Sequence, residues 1–102
     1  MIQAHILISD KQRNTLPPLY STEEIPDPIA HIKLFTPDSN WTWYITEYSQ
    51  EEDLCFGLII GHETELGYFS LNELKEVRGA MGLKIERDIH FKPERLSVLK
   101  QH

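Results

Sequence analysis

The sequence predicts an α+β protein: a single domain, residues 1–102, in which an antiparallel β-sheet of roughly four to five strands carries a helix packed on one face, with short terminal helices. Three observations lead there. Residues 41–48 and 83–91 alternate in residue type with a period of two, and residues 54–60 form an apolar run at hairpin distance from the first of these. Residues 70–78 combine a helix-start signature with a one-sided apolar stripe. A chain of 102 residues with 40% apolar content buries one core and has no room for a second.

In order along the chain, the first helix begins at Ser9, whose hydroxyl accepts from the amide three residues on while Gln12 reaches back. Pro17 and Pro18 stop it. Residues 19–28 hold two more prolines and three acids, and read as a loop crossing the domain with Leu19, Tyr20 and Ile25 as tacks into the core. Residues 29–35 form a strand with Ile32 and Leu34 on one side and His31 and Lys33 on the other, followed by turn chemistry over 36–40. The strand over 41–48 sets Trp41, Trp43, Ile45 and Glu47 against Thr42, Tyr44, Thr46 and Tyr48. Past the acidic turn 49–53, residues 54–60 pair with it antiparallel, and 65–69 add a short third strand beyond a turn at 61–64. Ser70 and Glu73 open a helix whose stripe is Leu71, Leu74 and Val77 and which Gly79 and Gly82 end. Residues 83–91 return to the sheet, with Leu83, Ile85, Arg87, Ile89 and Phe91 on one face and Lys84, Glu86, Asp88 and His90 on the other. Residues 93–100 form a short terminal helix or an extended tail.

Sixteen acidic against 10 basic side chains give a formal charge of −6. That balance disfavours direct binding to nucleic-acid backbones, where each phosphate contact needs a cation, and suits a protein partner with a basic surface. Cys55, the only cysteine, sits in an apolar run; it is expected as a buried packing residue, compatible with a reducing compartment. Residues 1–9 lack a basic n-region and a long apolar stretch, and no run approaches the roughly 20 apolar residues of a membrane span, so the expected location is the cytoplasm, without membrane contact.

Several groups could carry chemistry. His62, Glu65, Glu86, Asp88 and His90, with Glu47 and Glu63, supply nitrogen and oxygen donors of the kind divalent metals accept, but their spacing matches no metal motif. His62-Glu63 opens like a zinc-protease helix, yet Leu66 stands where the second histidine belongs. Phosphate-loop and serine-nucleophile patterns are absent, and no cofactor is implied. Arg87 interrupts an apolar face and therefore calls for acceptors; Glu47 is the carboxylate expected to form a structural ion pair with it, with Glu65 as the other candidate. Trp41 and Trp43 read as core. Tyr44 and Tyr48, alternating with threonines, read as exposed aromatics able to anchor a partner. Gly57 and Gly61 interrupt the next strand, leaving either a hollow beside the tyrosines or a bulge.

The wording of the chain is also familiar. Leu-Pro-Pro-Leu-Tyr-Ser-Thr-Glu (16–23), Asn-Trp-Thr-Trp-Tyr-Ile-Thr-Glu (40–47), Phe-Gly-Leu-Ile-Ile-Gly-His-Glu-Thr-Glu-Leu-Gly-Tyr-Phe-Ser-Leu (56–71) and Gly-Leu-Lys-Ile-Glu-Arg-Asp-Ile-His-Phe-Lys-Pro (82–93) resemble the domain of unknown function 2958 family of small bacterial proteins carried on mobile elements. The resemblance implies no activity and no catalytic residues. The expected function is a non-catalytic protein-binding module, an acidic inhibitor or modulator of a host nucleic-acid-handling or defence complex, with Tyr44, Tyr48, Glu51, Glu52, Asp53, Glu63 and Glu65 as its contacts. The rival expectations are a small metal-dependent hydrolase or nuclease using His62, Glu65, Glu86, Asp88 and His90, and a weak single-stranded nucleic-acid binder.

Overall fold

The computed structural model describes residues 5–100. The first four residues, on which the leaderless reading partly rests, and the outermost ends of the 1–102 domain lie outside them. The central layer is a five-stranded antiparallel sheet in the order β5-β4-β3-β2-β6, built from β2 (Ile32–Phe35), β3 (Thr42–Ser49), β4 (Leu54–Ile60), β5 (Thr64–Phe69) and the two-residue β6 (Glu86–Arg87). A second, two-stranded ladder joins β1 (Ile29–Ala30) to β7 (Glu94–Arg95). Three short helices lie among the described residues: α1 (Asp10–Arg13), α2 (Leu71–Glu76) and α3 (Leu96–Leu99). This is the α+β architecture that the sequence predicts.

Both faces of the sheet are covered. On one, Ile32, Leu34, Trp43, Ile45 and Cys55 pack against Leu7, Ile8 and Leu16 from the N-terminal segment and Leu71 and Leu74 from α2. On the other, Tyr44 and Leu58 pack against Ala30, Leu96 and Leu99, with Phe91 beside them. A sheet buried on two sides needs apolar residues at successive strand positions, which is why the strict alternation expected of residues 41–48 is blurred.

A β-bulge in β3 decides which side chains go where. Ile45 pairs with Gly57 but Glu47 pairs with Phe56, so Thr46 is the extra residue. Each added residue reverses the alternation downstream. Tyr48, opposite Cys55, therefore lands on the Trp43 face, and Glu47, opposite Phe56, lands on the Tyr44 face. The sequence expectation had these two the other way round, because a regular period of two contains no bulge. Gly57 sits beside the irregularity: a Cβ there would overlap the Tyr44 carbonyl, so the space is filled by backbone and no hollow exists. Gly61 is likewise capped, by the Trp41 ring.

Glu47, 2% exposed, is buried, and its burial fastens the 17–22 segment. Its carboxylate accepts from the Tyr20 amide at 2.7 Å, the Thr22 amide at 2.8 Å and the Thr22 hydroxyl, while the Tyr48 amide donates to the Pro17 carbonyl at 2.9 Å. Tyr20 takes a positive φ of 71° to present its amide. The loop is thus held by a polar clamp, and Tyr20 and Ile25, expected as core tacks, are exposed.

The helices follow local chemistry more closely. Ser9 and Gln12 form both halves of the capping box of α1. Ser70 caps α2 by accepting from the Glu73 amide, and the helix ends at Val77, ahead of Gly79. Asp53, at φ 51°, accepts from the Ser70 hydroxyl and the Asn72 amide, tying the β3–β4 turn to the start of α2. Asp38 does the same for the 79–83 loop, accepting from the amides of Met81 at 2.7 Å and Leu83 at 3.2 Å. The strand expected over 83–91 shrinks to Glu86–Arg87 plus an isolated bridge between Lys84 and Arg78. Leu83 and Ile89 are exposed, so the period of two in the sequence overstates the length of the ladder.

Glu47→Ala strands two loop amides against a dry wall. Equilibrium denaturation should show a loss of about 3 kcal/mol, and limited proteolysis should cut within residues 17–25 first. Unchanged stability would mean that the clamp carries no load.

Candidate functional site

Tyr44 is 7% exposed, covered by the C-terminal segment with Phe91 at a ring-centroid distance of 5.7 Å. Its expected role as an exposed anchor is corrected: α3 and Phe91 cover the Thr-Tyr face that the sequence left open. Burial, with Asp88 adding, raises the Tyr44 phenol above its ordinary pKa. Tyr48 is half-buried on the opposite face, and burial likewise raises its phenol despite the Arg13 guanidinium beside it. The two tyrosines do not form one surface.

Glu51 and Glu52 are exposed in the β3–β4 turn, while Asp53 spends its carboxylate on α2. Glu63 and Glu65 lie at the other end of β4, roughly 20 Å away along a strand of seven residues. The acids expected to act together therefore bracket the sheet edge from its two ends.

The Arg87–Glu47 ion pair does not form among the described residues. Glu47 is committed to Tyr20 and Thr22, and Arg87, 7% exposed, donates to the Gln12 side-chain oxygen at 2.8 Å. Arg87 does require buried acceptors, as its place on an apolar face demands, and the Gln12 amide oxygen is one of them. Its burial lowers the guanidinium pKa from the ordinary value.

The metal set is dispersed. Glu65 belongs to β5 and Glu86 to β6, at opposite edges of the five-stranded sheet, roughly 19 Å apart at the usual strand spacing. His62 stacks edge-on against Trp41 at 5.6 Å, Glu86 faces His5 at 3.8 Å, and Asp88 meets Lys33 at 3.9 Å while accepting from the His90 amide. Glu86, Asp88 and His90 share no strand face, since the ladder ends at Arg87. Among the described residues no group of three or more histidines, cysteines or carboxylates gathers at metal-binding distance.

What the sequence reading missed is the outer edge of the sheet. Among the described residues β5 pairs only with β4, and its Leu66 and Tyr68 are 49% and 47% exposed. Both lie on the Phe56 face, with Tyr68 4.8 Å from Phe56 and 6.3 Å from the exposed Tyr20, ring to ring. Beside them, Ile25 and Pro26 line a cleft of about 250 Å³. Partial burial, with Tyr20, Glu23 and Glu47 adding, raises the Tyr68 phenol above its usual pKa. The signal was present in the alternation of Leu66 and Tyr68 and in the meander order, which makes the third strand an edge.

Cys55 is fully buried, and burial with Asp53 nearby pushes its thiol up to about 12. The folded state thus prefers the protonated thiol, and the stability this brings is full below the ordinary value of 9.0 and declines as pH rises towards 12. Alkylation at pH 8 should proceed only through unfolding and match the unfolding rate or population; rapid labelling of the native protein would contradict a buried thiol.

No curated protein and no solved structure gives a significant match to this chain. Among the described residues no helix is long and apolar enough to cross a membrane. Residues 3–101, nearly the whole chain, match the family model described as Protein of unknown function (DUF2958), and the chain belongs to that family.

Proposed function

We propose that the protein is a non-catalytic binding module that captures an extended, basic segment of a partner protein along the outer edge of β5. The observation that carries this reading is the edge itself: among the described residues one side of β5 has no strand beside it, and its outward Leu66 and Tyr68 extend into an exposed apolar patch with Tyr20 and Ile25. An unpaired strand edge offers a row of backbone donors and acceptors, and alternate side chains supply specificity.

Charge selects the partner. Residues 61–69 hold Glu63 and Glu65 and no lysine or arginine, and the 20–28 loop adds Glu23, Glu24 and Asp27, again without a cation. Glu51 and Glu52 stand at the Tyr68 end of the strand, because the turn that carries them precedes β4 where β5 finishes. A second copy of the chain would set acids against acids, whereas a basic segment meets complementary charge. Basic segments of this kind line nucleic-acid-handling complexes, so an acidic modulator of a host nucleic-acid-handling or defence complex in the cytoplasm fits both the charge and the mobile-element carriage implied by the family resemblance. Direct binding to nucleic acid fits neither.

The test is fluorescence anisotropy with short peptides that alternate apolar residues with lysine or arginine, against acidic counterparts and a single-stranded oligonucleotide. The basic peptides should bind, with affinity falling as salt rises, and Leu66→Lys or the pair Glu63→Lys/Glu65→Lys should weaken them about tenfold or more. These side chains are exposed, so thermal stability should stay within a few degrees of the parent. Equal binding of acidic peptides, or indifference to both substitutions, refutes the reading.

A further inference from the structure

A cleft of about 410 Å³ opens between the N-terminal segment, the end of α1, the β3–β4 turn and α2, and its chemistry is the reverse of the molecule's. The chain as a whole has 16 acids and 10 bases. The cleft lining has two permanent cations, Arg13 and Lys75, against one carboxylate, Asp53. That carboxylate is engaged, since Asp53 Oδ2 accepts from the Ser70 hydroxyl and the Asn72 amide.

Neither cation is neutralised there. Among the described residues the ion-pair partner of Arg13 is Asp10, 3.4 Å away with a side chain 97% exposed, a contact that water screens almost completely. The Arg13 Nε is shut off from solvent and has no hydrogen-bond partner among the described residues, and the Lys75 ammonium has no ion-pair partner among them. The Nε faces away from the cleft, so a ligand would meet the guanidinium at its terminal nitrogens, and an oxyanion is the group that two such uncompensated cations favour most. The remaining walls suit a larger body: Tyr48 presents a half-buried phenol, and Ile6 and Ile8 are apolar. The volume falls within the roughly 300–1,000 Å³ of small-molecule sites and exceeds what a bare anion fills.

We propose that this cleft binds a small organic oxyanion, its phosphate or carboxylate head between Arg13 and Lys75 and its aromatic or apolar body against Tyr48. The site lies on the Trp43 face of the sheet and is independent of the β5 edge. Titrating the whole protein with phenyl phosphate, benzoate, inorganic phosphate and phenol, followed by amide chemical shifts, tests it. Phenyl phosphate or benzoate should saturate with a Kd of about 1 mM or tighter, moving the signals of Ile8, Gln50 and Asn72, and the stronger of the two identifies the head group. Phenol alone should not saturate. Arg13→Gln and Lys75→Gln should each weaken binding about tenfold or more. Lys75 is exposed on α2, so Lys75→Gln remains informative even if Arg13→Gln perturbs folding. The proposal falls if neither aromatic anion saturates by about 10 mM, if Lys75→Gln binds like the parent, or if phenol binds as tightly as the anions.

Discussion

The arrangement of this domain turns on one buried carboxylate. Glu47 has lost its water, and a carboxylate in that position persists only where donors surround it. The Tyr20 amide, the Thr22 amide and the Thr22 hydroxyl are those donors, and they come from a segment with no regular secondary structure of its own. Bringing them into place carries the proline-rich chain across the end of β3 and sets Tyr20 beside Tyr68. The exposed aromatic patch on the β5 edge is therefore a consequence of satisfying an anion inside the sheet.

The bulge is what makes this possible. Without Thr46 as an extra residue, Glu47 would share the face of Trp43 and Ile45, against the apolar side chains of α2 and the N-terminal segment and away from the Tyr20 and Thr22 amides. With it, the same side chain reaches the loop, and Tyr48 is delivered to the other face, where it forms one wall of the cation-lined cleft. A single inserted residue thus positions both surfaces to which a binding role is assigned. Gly57 matches it across the ladder, since any side chain there would collide with the displaced β3 backbone.

Much of the fold was legible in the residues and the candidate site was much less so, for a physical reason. Caps at Ser9 and Ser70, the apolar run of β4 and the stripe of α2 are local signals that act within a few residues, and the structure follows them. Tyr44 illustrates the opposite case: whether a tyrosine alternating with threonines faces water depends on what else covers that face, and α3 arrives from residues 96–99. Glu47 and Arg87 are alike in this respect. Each needed a partner, as burial of a charge always does, but the partner came from a loop in one case and from the α1 glutamine in the other, neither of which spacing reveals. The edge position of β5 could have been read from the meander, because the last strand of a hairpin series has a neighbour on one side alone unless a later segment returns to it.

Gln12 ties the two ends of the chain into one mechanical unit. Its carbonyl oxygen receives the Ser9 amide at 3.1 Å and the Arg87 guanidinium at 2.8 Å, so one atom caps the start of the first helix and holds a side chain of the edge strand β6. Loosening the amino-terminal turn withdraws an acceptor from a cation that sits out of water 75 residues later in the chain. The small helix is thereby a latch on the far border of the sheet, holding the Arg87 side chain through one amide oxygen.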